Sequence, residues 1–478
     1  MTQNRESQLE NDTKDLQKFG YAQELFRDMG GFSNFAISFS VISILTGITQ
    51  LYGYGLQHGG PVQTTLGWLL VSIFTFTVAL AMAELASAYP TAGALYHWSH
   101  FLGGRTLGWF TACFNTIGQF AILAGIDYGL ALFLISIMGW PSTPRFTIEL
   151  YATLIFSHAL LNHIGIRVVS WLNDFSAGYH IIVVLVIFAS LASKGFVQPV
   201  SFLFHFNKSD TFSHGYSFLI GLLLAQWTLT GFDASAHTAE ETVDPRRKAP
   251  WGIFMAVAVS VLFGLLMLVA ITLSIPDLAQ ITATGDGAFG EIFKIRLGAK
   301  MGTAVLLLIG GAMWLCGLAS LTSASRMAYA FARDGGLPLS KVWAKISKSH
   351  RVPANAIWGI SVFALILGIK VDVYAAVTSV AVIALYFSYG LPILARLIVR
   401  FRHKGRDTQG PWNLGRFSTI NAIVAVTWIA FISTLFVLPP NDQAGKVMLG
   451  CTVFLVLNWF FIARKRFAGP KVQFVGKK

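Results

Sequence analysis

Twelve stretches of this chain are apolar over the length of a bilayer-crossing helix, which needs about 20 residues. They run approximately over residues 35–56, 64–88, 106–138, 146–165, 168–193, 214–241, 250–275, 301–333, 353–370, 373–400, 417–438 and 447–464. Such runs leave few options. In hydrocarbon every backbone N–H and C=O must find a partner within the protein, so only helices and closed barrels cross. These runs are too long for barrel strands, so helices are expected. The expected fold class is all-α integral membrane, with 12 transmembrane helices. Charge content agrees: 12% of the 478 residues are charged, against roughly 25% in soluble domains.

The net charge of +13 does not call for a nucleic-acid partner. Basic residues gather at the cytoplasmic ends of membrane helices. With the N-terminus inside, 27 of the 35 Lys and Arg residues fall on inner tails, loops and helix ends, and 8 fall outside. Both termini are therefore expected in the cytoplasm, the chain in the plasma (inner) membrane, with membrane lipid as its surroundings. Residues 1–30 carry no signal-peptide core and read as a cytoplasmic N-terminal tail. Within it, Phe19 to Met29 is expected as a short amphipathic surface helix. Cys113, Cys316 and Cys451 sit in apolar segments and are expected as free, buried thiols.

The segment over 214–241 is not a plain membrane helix. It places Thr228, Thr230, Gly231, Asp233 and His237 at membrane depth before the charged loop from Glu240 to Lys248. Glycine weakens a helix interior, and broken backbone survives in a bilayer only where it lines a cavity or is buried in protein. The first segment has a second such stretch, with Thr46, Gly47 and Thr49 about halfway across. The two segments are five apart, so they enter the membrane from opposite sides. That is the arithmetic of an inverted repeat. It divides the chain into repeat 1 over 31–195, repeat 2 over 196–400, two further helices over 401–465 and a cytoplasmic C-terminal tail over 466–478.

Particular motifs add to this. They are Gly20 to Leu25, Phe35 to Ser40, Leu45 to Thr49, Gly59-Gly-Pro61, Ala83 to Tyr96, Gly231 to Glu241, Ser325-Arg326 and Ala330 to Pro338. With them the chain resembles the amino acid–polyamine–organocation superfamily, and within it the amino acid/choline transporter branch, which includes fungal GABA and choline permeases. The resemblance covers roughly residues 19–465. It implies the leucine-transporter-like five-plus-five fold, with helices 1 and 6 broken, alternating access, and amino acids, GABA, choline or related amines as substrates.

The residues then take expected roles. Unwinding at Thr46-Gly47-Ile48, with Thr49 beyond, presents N–H groups that suit a carboxylate. Carbonyls from Trp227 through Thr228 to Thr230 suit an ammonium group, and Phe232 resembles the superfamily's aromatic lid. Asp233 is an intramembrane carboxylate, which is costly and usually functional; ammonium partner, proton carrier, internal gate and backbone cap are all open to it. Gln119 and Asp127 could face the same cavity, or Asp127 a hydroxyl on the tenth helix. His180 falls where several relatives carry a lysine in place of a sodium ion, with Ser323 and Ser325 resembling hydroxyls of the same site. This points to a proton as partner, or to exchange. Glu84, Glu240, Arg326 and Arg333 are gating candidates, beside Glu241, Asp244 and Asp334.

No phosphate-binding loop, zinc spacing or catalytic triad is present in the sequence, so no enzyme, cofactor or metal is expected. His158 and His163 are five apart, on different helix faces, and make a poor metal pair. A choline or polyamine carrier remains an alternative, with Tyr52, Tyr54, Phe232, Tyr386 and Tyr389 as a possible aromatic cage. A membrane sensor or scaffold is the alternative of another class. A monomer or weak homo-oligomer is expected.

Overall fold

The computed structural model describes residues 2–207, 212–369, 374–402 and 408–470. Lys208, Lys370, Lys404, Arg406, Lys471, Lys477 and Lys478, which enter the charge count, lie outside the described residues.

Long apolar runs with no strand-forming alternation give helices throughout. The chain runs α1 (Thr2–Lys18), α2 (Gly31–Ile42), α3 (Ile44–His58), α4 (Leu66–Ala88), α5 (Leu95–Met138), α6 (Pro144–Ile164) and α7 (Ile166–Ala192). It continues α8 (His214–Gly221), α9 (Leu223–Thr228), α10 (Ala234–His237), α11 (Pro245–Leu273), α12 (Leu278–Ala283), α13 (Ala288–Leu297) and α14 (Ala299–Arg333). Then come α15 (Ser340–Trp343), α16 (Ala354–Ile369), α17 (Tyr374–Arg402), α18 (Ser418–Leu435) and α19 (Asp442–Asn458). The protein is an all-α, multi-pass membrane protein.

Among the described residues, 9 helices are long and apolar enough to cross a membrane. The other three expected segments are helical but fall short of that measure for visible reasons. Helix α6 carries Arg145, Glu149, His158 and His163; α8 to α10 is interrupted; α16 is short. Helix α5 is longer than a span because Gly104, at φ 83°, bends Leu95–Gly103 away from the rest.

The first span is 94% buried in the molecule and the last only 22%, so α2 and α3 form the centre and α19 the rim. Outward faces carry Ile73, Trp171, Ile182, Leu262, Ile420 and Phe461 well exposed. In water that would be an aggregation hazard; here it is the lipid-facing belt.

The N-terminal stretch differs from expectation. Residues 2–18 are helical, whereas Phe19 to Met29 forms no surface helix. Its backbone is used elsewhere: the N–H groups of Asp28 and Met29 donate to Glu241 O at 3.0 and 2.9 Å, and Val243 N–H returns to Met29 O at 3.0 Å. Leu16, Tyr21, Leu25 and Met29 are buried against one end of the bundle. The described C-terminal residues reach the same end, where Phe467 meets Tyr96. Of the cysteines, all three are free, but only Cys316 is fully buried.

Candidate functional site

The first break falls at Ser43, three residues before the expected Thr46-Gly47-Ile48. Ser43 takes a left-handed turn, φ 36°, ending α2 and starting α3. Thr46, Gly47 and Ile48 are already helical, and the N–H groups of Thr46 and Gly47 are satisfied by Ser43 O. The unpaired donors of the new helix start are those of Ile44 and Leu45. Ser43 is fixed by its side chain. Its Oγ accepts from Thr46 N–H, meets Thr46 Oγ1 at 2.6 Å and lies 2.7 Å from His180 Nε2. His180 Nδ1 donates to Ser176 O at 2.8 Å, so the ring is satisfied as a neutral imidazole accepting from Ser43. Cys316 Sγ reaches Val41 O just before the break.

The second break spans Leu229 to Asp233, between α9 and α10, with Gly231 at φ 103°. The two breaks touch. A Cβ on Gly47 would lie 2.6 Å from Thr228 Cα, so only glycine lets α3 and α9 meet backbone to backbone. Below the breaks, α2 and α10 are stitched together. Ser38 Oγ donates to Phe232 O at 2.8 Å and accepts from Ser235 N–H, while Asn34 Nδ2 donates to Ser235 O at 2.9 Å.

Asp233 is wholly buried and meets four partners. Tyr389 Oη donates to Oδ1 at 2.8 Å; Gln119 Nε2 and Asn115 Nδ2 donate to Oδ2 at 3.2 and 3.4 Å; His237 Nε2 lies 3.2 Å from Oδ2. Gln119 also reaches Ser323 Oγ at 3.3 Å. Ser323 thus joins the Asp233 cluster, and Ser325 joins Arg326, 3.1 Å away; in the structure neither is bonded to His180, because two residues along a helix point to different faces. Thr228 and Thr230 turn their hydroxyls back onto their own helix, at Leu224 O and Gln226 O. Phe232 is buried against Tyr389, ring centroids 5.2 Å apart.

At the end that carries the N-terminus, the break is sealed. Arg326 makes a two-point pair with Glu241 at 2.9 and 3.0 Å, and Arg333 with Glu240 at 2.9 and 2.8 Å. Arg326, Glu240 and Glu241 are buried, so these are not the weak pairs of a solvated loop. The N-terminal segment lies over them. Gln23 Nε2 donates to Glu240 O, Arg27 donates to Thr242 O at 2.6 Å, and Arg333 lies over the Tyr21 ring at 3.9 Å. Helix α1 pins this segment through Asp12, which is 3.7 Å from Arg27 and accepts from Asp244 N–H. Burial alone would raise the Asp334 carboxyl, but hydrogen bonds from His97 and Tyr21 and the nearby Arg333 outweigh it and hold it below the usual carboxylate range.

Opposite this seal, a cavity of about 300 Å³ lies between α3, α5 and the α12–α13 hairpin. Its lining includes Thr49, Gln50, Phe133, Asp286, Glu291 and Lys294. Of the residues expected to bind substrate, Thr49 is the one in that lining, and its hydroxyl has no hydrogen-bond partner. Trp227 is tied to the cavity wall, its Nε1 donating to Gln50 Oε1 at 3.1 Å and its ring lying against Gly125.

Two acidic residues sit elsewhere than expected. Asp127 pairs with His158 of α6 at 3.1 Å, both fully buried, rather than facing a hydroxyl of α17. Glu84 joins Arg396, Arg400 and Ser418, bracing α4 against α17 and α18, away from the Glu240 and Glu241 pairs. Of the five aromatic cage candidates, Phe232, Tyr386 and Tyr389 cluster, while Tyr52 bonds Thr272 and Tyr54 bonds Asn441. No group of metal-ligating residues is found among the described residues. Sequence reasoning gave no role to Ser43, Asn115 or His237. The Ser43 signal was a small hydroxyl residue between two apolar helical stretches.

A family model described as amino acid permease matches residues 29–461. The Oryza sativa subsp. japonica protein named amino-acid permease BAT1 homolog is 38% identical, over 95% of this chain and 94% of its own length. Amino-acid permease BAT1 of Arabidopsis thaliana is 37% identical, over 95% of each chain. The GABA-specific permease of Saccharomyces cerevisiae is 31% identical, over 91% of this chain and 80% of its own length.

Proposed function

The chain belongs to the amino acid permease family, a transporter rather than an enzyme, and from that premise we propose a secondary active carrier working by alternating access, with GABA the favoured substrate. One observation carries the reading: two broken helices touch at Gly47 and Thr228, sealed at one end by buried ion pairs and facing a cavity at the other. The sealed end is the cytoplasmic one, both termini lie there, and the membrane is the plasma membrane. The end shared by α1 and the described residues up to Phe467, and the distribution of Lys and Arg, support this. The conformation is then outward-facing.

Substrate enters past Asp286, Glu291 and Lys294 and meets Thr49. Trp227 and Phe232 swing aside, and the zwitterion settles between the breaks. Its carboxylate meets the N–H groups of Ile44 and Leu45, reached through the Thr46-Gly47-Ile48 turn, where the helix dipole is positive. Its ammonium meets carbonyls near Thr228 and Thr230 and the Asp233 cluster with Gln119. Opening inward parts Glu240 from Arg333 and Glu241 from Arg326, while Glu84 braces the moving α4. Driving force comes from a proton or from exchange. Protonation of His180 turns Nε2 from acceptor to donor, breaks its acceptance from Ser43 and loosens the break. The carrier works in lipid as a monomer or weak homo-oligomer.

The test is uptake by purified protein in liposomes, offering GABA, neutral and basic amino acids, choline and putrescine, with pH and sodium gradients imposed separately. GABA or another amino acid is expected to accumulate with the pH gradient. Choline transport would favour the second reading, supported by the Phe232, Tyr386 and Tyr389 cluster. Movement of none of them ends the carrier reading in favour of a sensor. Unchanged uptake at every pH in His180→Ala removes the coupling role of that residue.

A further inference from the structure

The hydrogen bonds around Asp233 and His237 fix where a proton must be. His237 Nδ1 lies 3.1 Å from the carbonyl oxygen of Ala92. A carbonyl only accepts, so Nδ1 carries a hydrogen. His237 Nε2 lies 3.2 Å from Asp233 Oδ2. Without a hydrogen there, two lone pairs would face each other in a site where both residues are 0% exposed. One proton is therefore shared by the pair, as imidazolium with carboxylate or imidazole with carboxylic acid. Either form is neutral overall.

Nothing nearby replaces that proton. Toward the pair, α2 presents Asn34 and Ser38 and α5 presents Asn115 and Gln119, all uncharged. Helix α11 presents Gly252 beside Ser235. Helix α17 contributes the phenols Tyr386 and Tyr389. The two arginines of α14 are each taken by a carboxylate, Arg326 by Glu241 and Arg333 by Glu240, and His97 beyond them is bound to Asp334. Loss of the proton leaves one net negative charge unpaired in a buried site, which is costly.

The pair is also tied to the seal. Ala92, whose carbonyl holds His237, gives its own N–H to Glu240 Oε1 at 3.0 Å, and Glu240 holds Arg333. A change at His237 thus reaches the inner ion pair through one residue.

We propose that Asp233 and His237 together form a proton-binding site that couples transport. The proton is bound while the inner end is closed. It leaves from Nε2 or Oδ2 to cytoplasmic water when that end opens, and no other bond changes. This rests on the carrier reading above and places the one coupled proton at the second break instead of at His180.

The test uses full-length protein in liposomes with the membrane potential clamped at zero and the interior about one pH unit more alkaline. GABA, alanine and choline serve as parallel probes. At one proton per substrate, wild type is expected to accumulate its substrate about tenfold, since one pH unit is a factor of ten in the driving ratio. His237→Gln keeps an N–H toward Asp233 but has no proton to release. It should exchange labelled for unlabelled substrate while accumulating none. Accumulation by His237→Gln equal to wild type overturns the proposal. Wild-type exchange that ignores the pH gradient overturns it too, yet leaves the carrier reading standing; transport of no probe by wild type overturns both. If the variant fails to exchange, substrate affinity is measured in detergent across a range of pH. Affinity that falls as pH rises in wild type alone, with the variant still folded by thermal unfolding, upholds the site, and the same pH dependence in both refutes it.

Discussion

Gly47 shows how one position can decide a site. A methyl group there would collide with the Thr228 backbone, which no rotamer change can relieve. Gly47→Ala is expected to cost about 1–3 kcal/mol and to abolish transport. Gly178→Ala on α7, where a Cβ meets nothing within 4 Å, should leave both unchanged. Thermal unfolding and uptake of the two variants side by side would check this. Arg326 is a different case, because its partner is buried with it. Arg326→Ala leaves Glu241 as an unpaired buried charge and should cost about 3–5 kcal/mol, whereas the double variant with Glu241→Ala should recover part of that loss. Asp233 was legible in the sequence as a carboxylate at membrane depth, and Arg326 and Arg333 as charges set beside Glu240 and Glu241. The partners of other buried acids were not. Asp127 finds His158 and Glu84 finds Arg396, choices made by helix packing between residues far apart in the chain.

At the scale of elements, the stretch from Phe19 to Met29 carries the main departure from expectation. Its apolar residues suggested a surface helix, yet its backbone bonds the chain after the second break. The buried carbonyl of Glu241, just after α10, takes those N–H groups, and sequence pattern has no view of that competitor. Asp12 holds the segment through Arg27, so Asp12→Ala should expose Arg27 to trypsin, and cleavage there should become faster than in wild type. A cleavage rate that does not change would remove this role from α1. Asp334 sets a pH limit on the same closure. Its folded carboxyl titrates below the ordinary range, so it adds stability above that range and loses it as pH falls through its folded value. The stability lead of wild type over Asp334→Asn should hold at neutral pH and begin to fall only below about pH 4.

For the molecule as a whole, the apolar belt and the common end reached by the described residues near the two termini make a topology prediction. Epitope tags on the two ends should both be reached only from the cytoplasmic side, and one tag found outside would overturn the assigned orientation. The sequence by itself determined that this chain crosses a membrane as helices, because buried backbone in lipid permits little else and the apolar runs are long. It also determined that two segments come apart, because Gly, Thr and Asp at that depth do not sustain a plain span. Only the tertiary structure decided where the first break falls, since Ser43 turns left-handed with His180 and Thr46 gripping its hydroxyl. The same holds for Asp233, whose four partners come from α5, α17 and its own segment. Local chemistry is written along the chain, whereas the pairing of a buried polar group is settled by whichever donor the packed helices bring within reach.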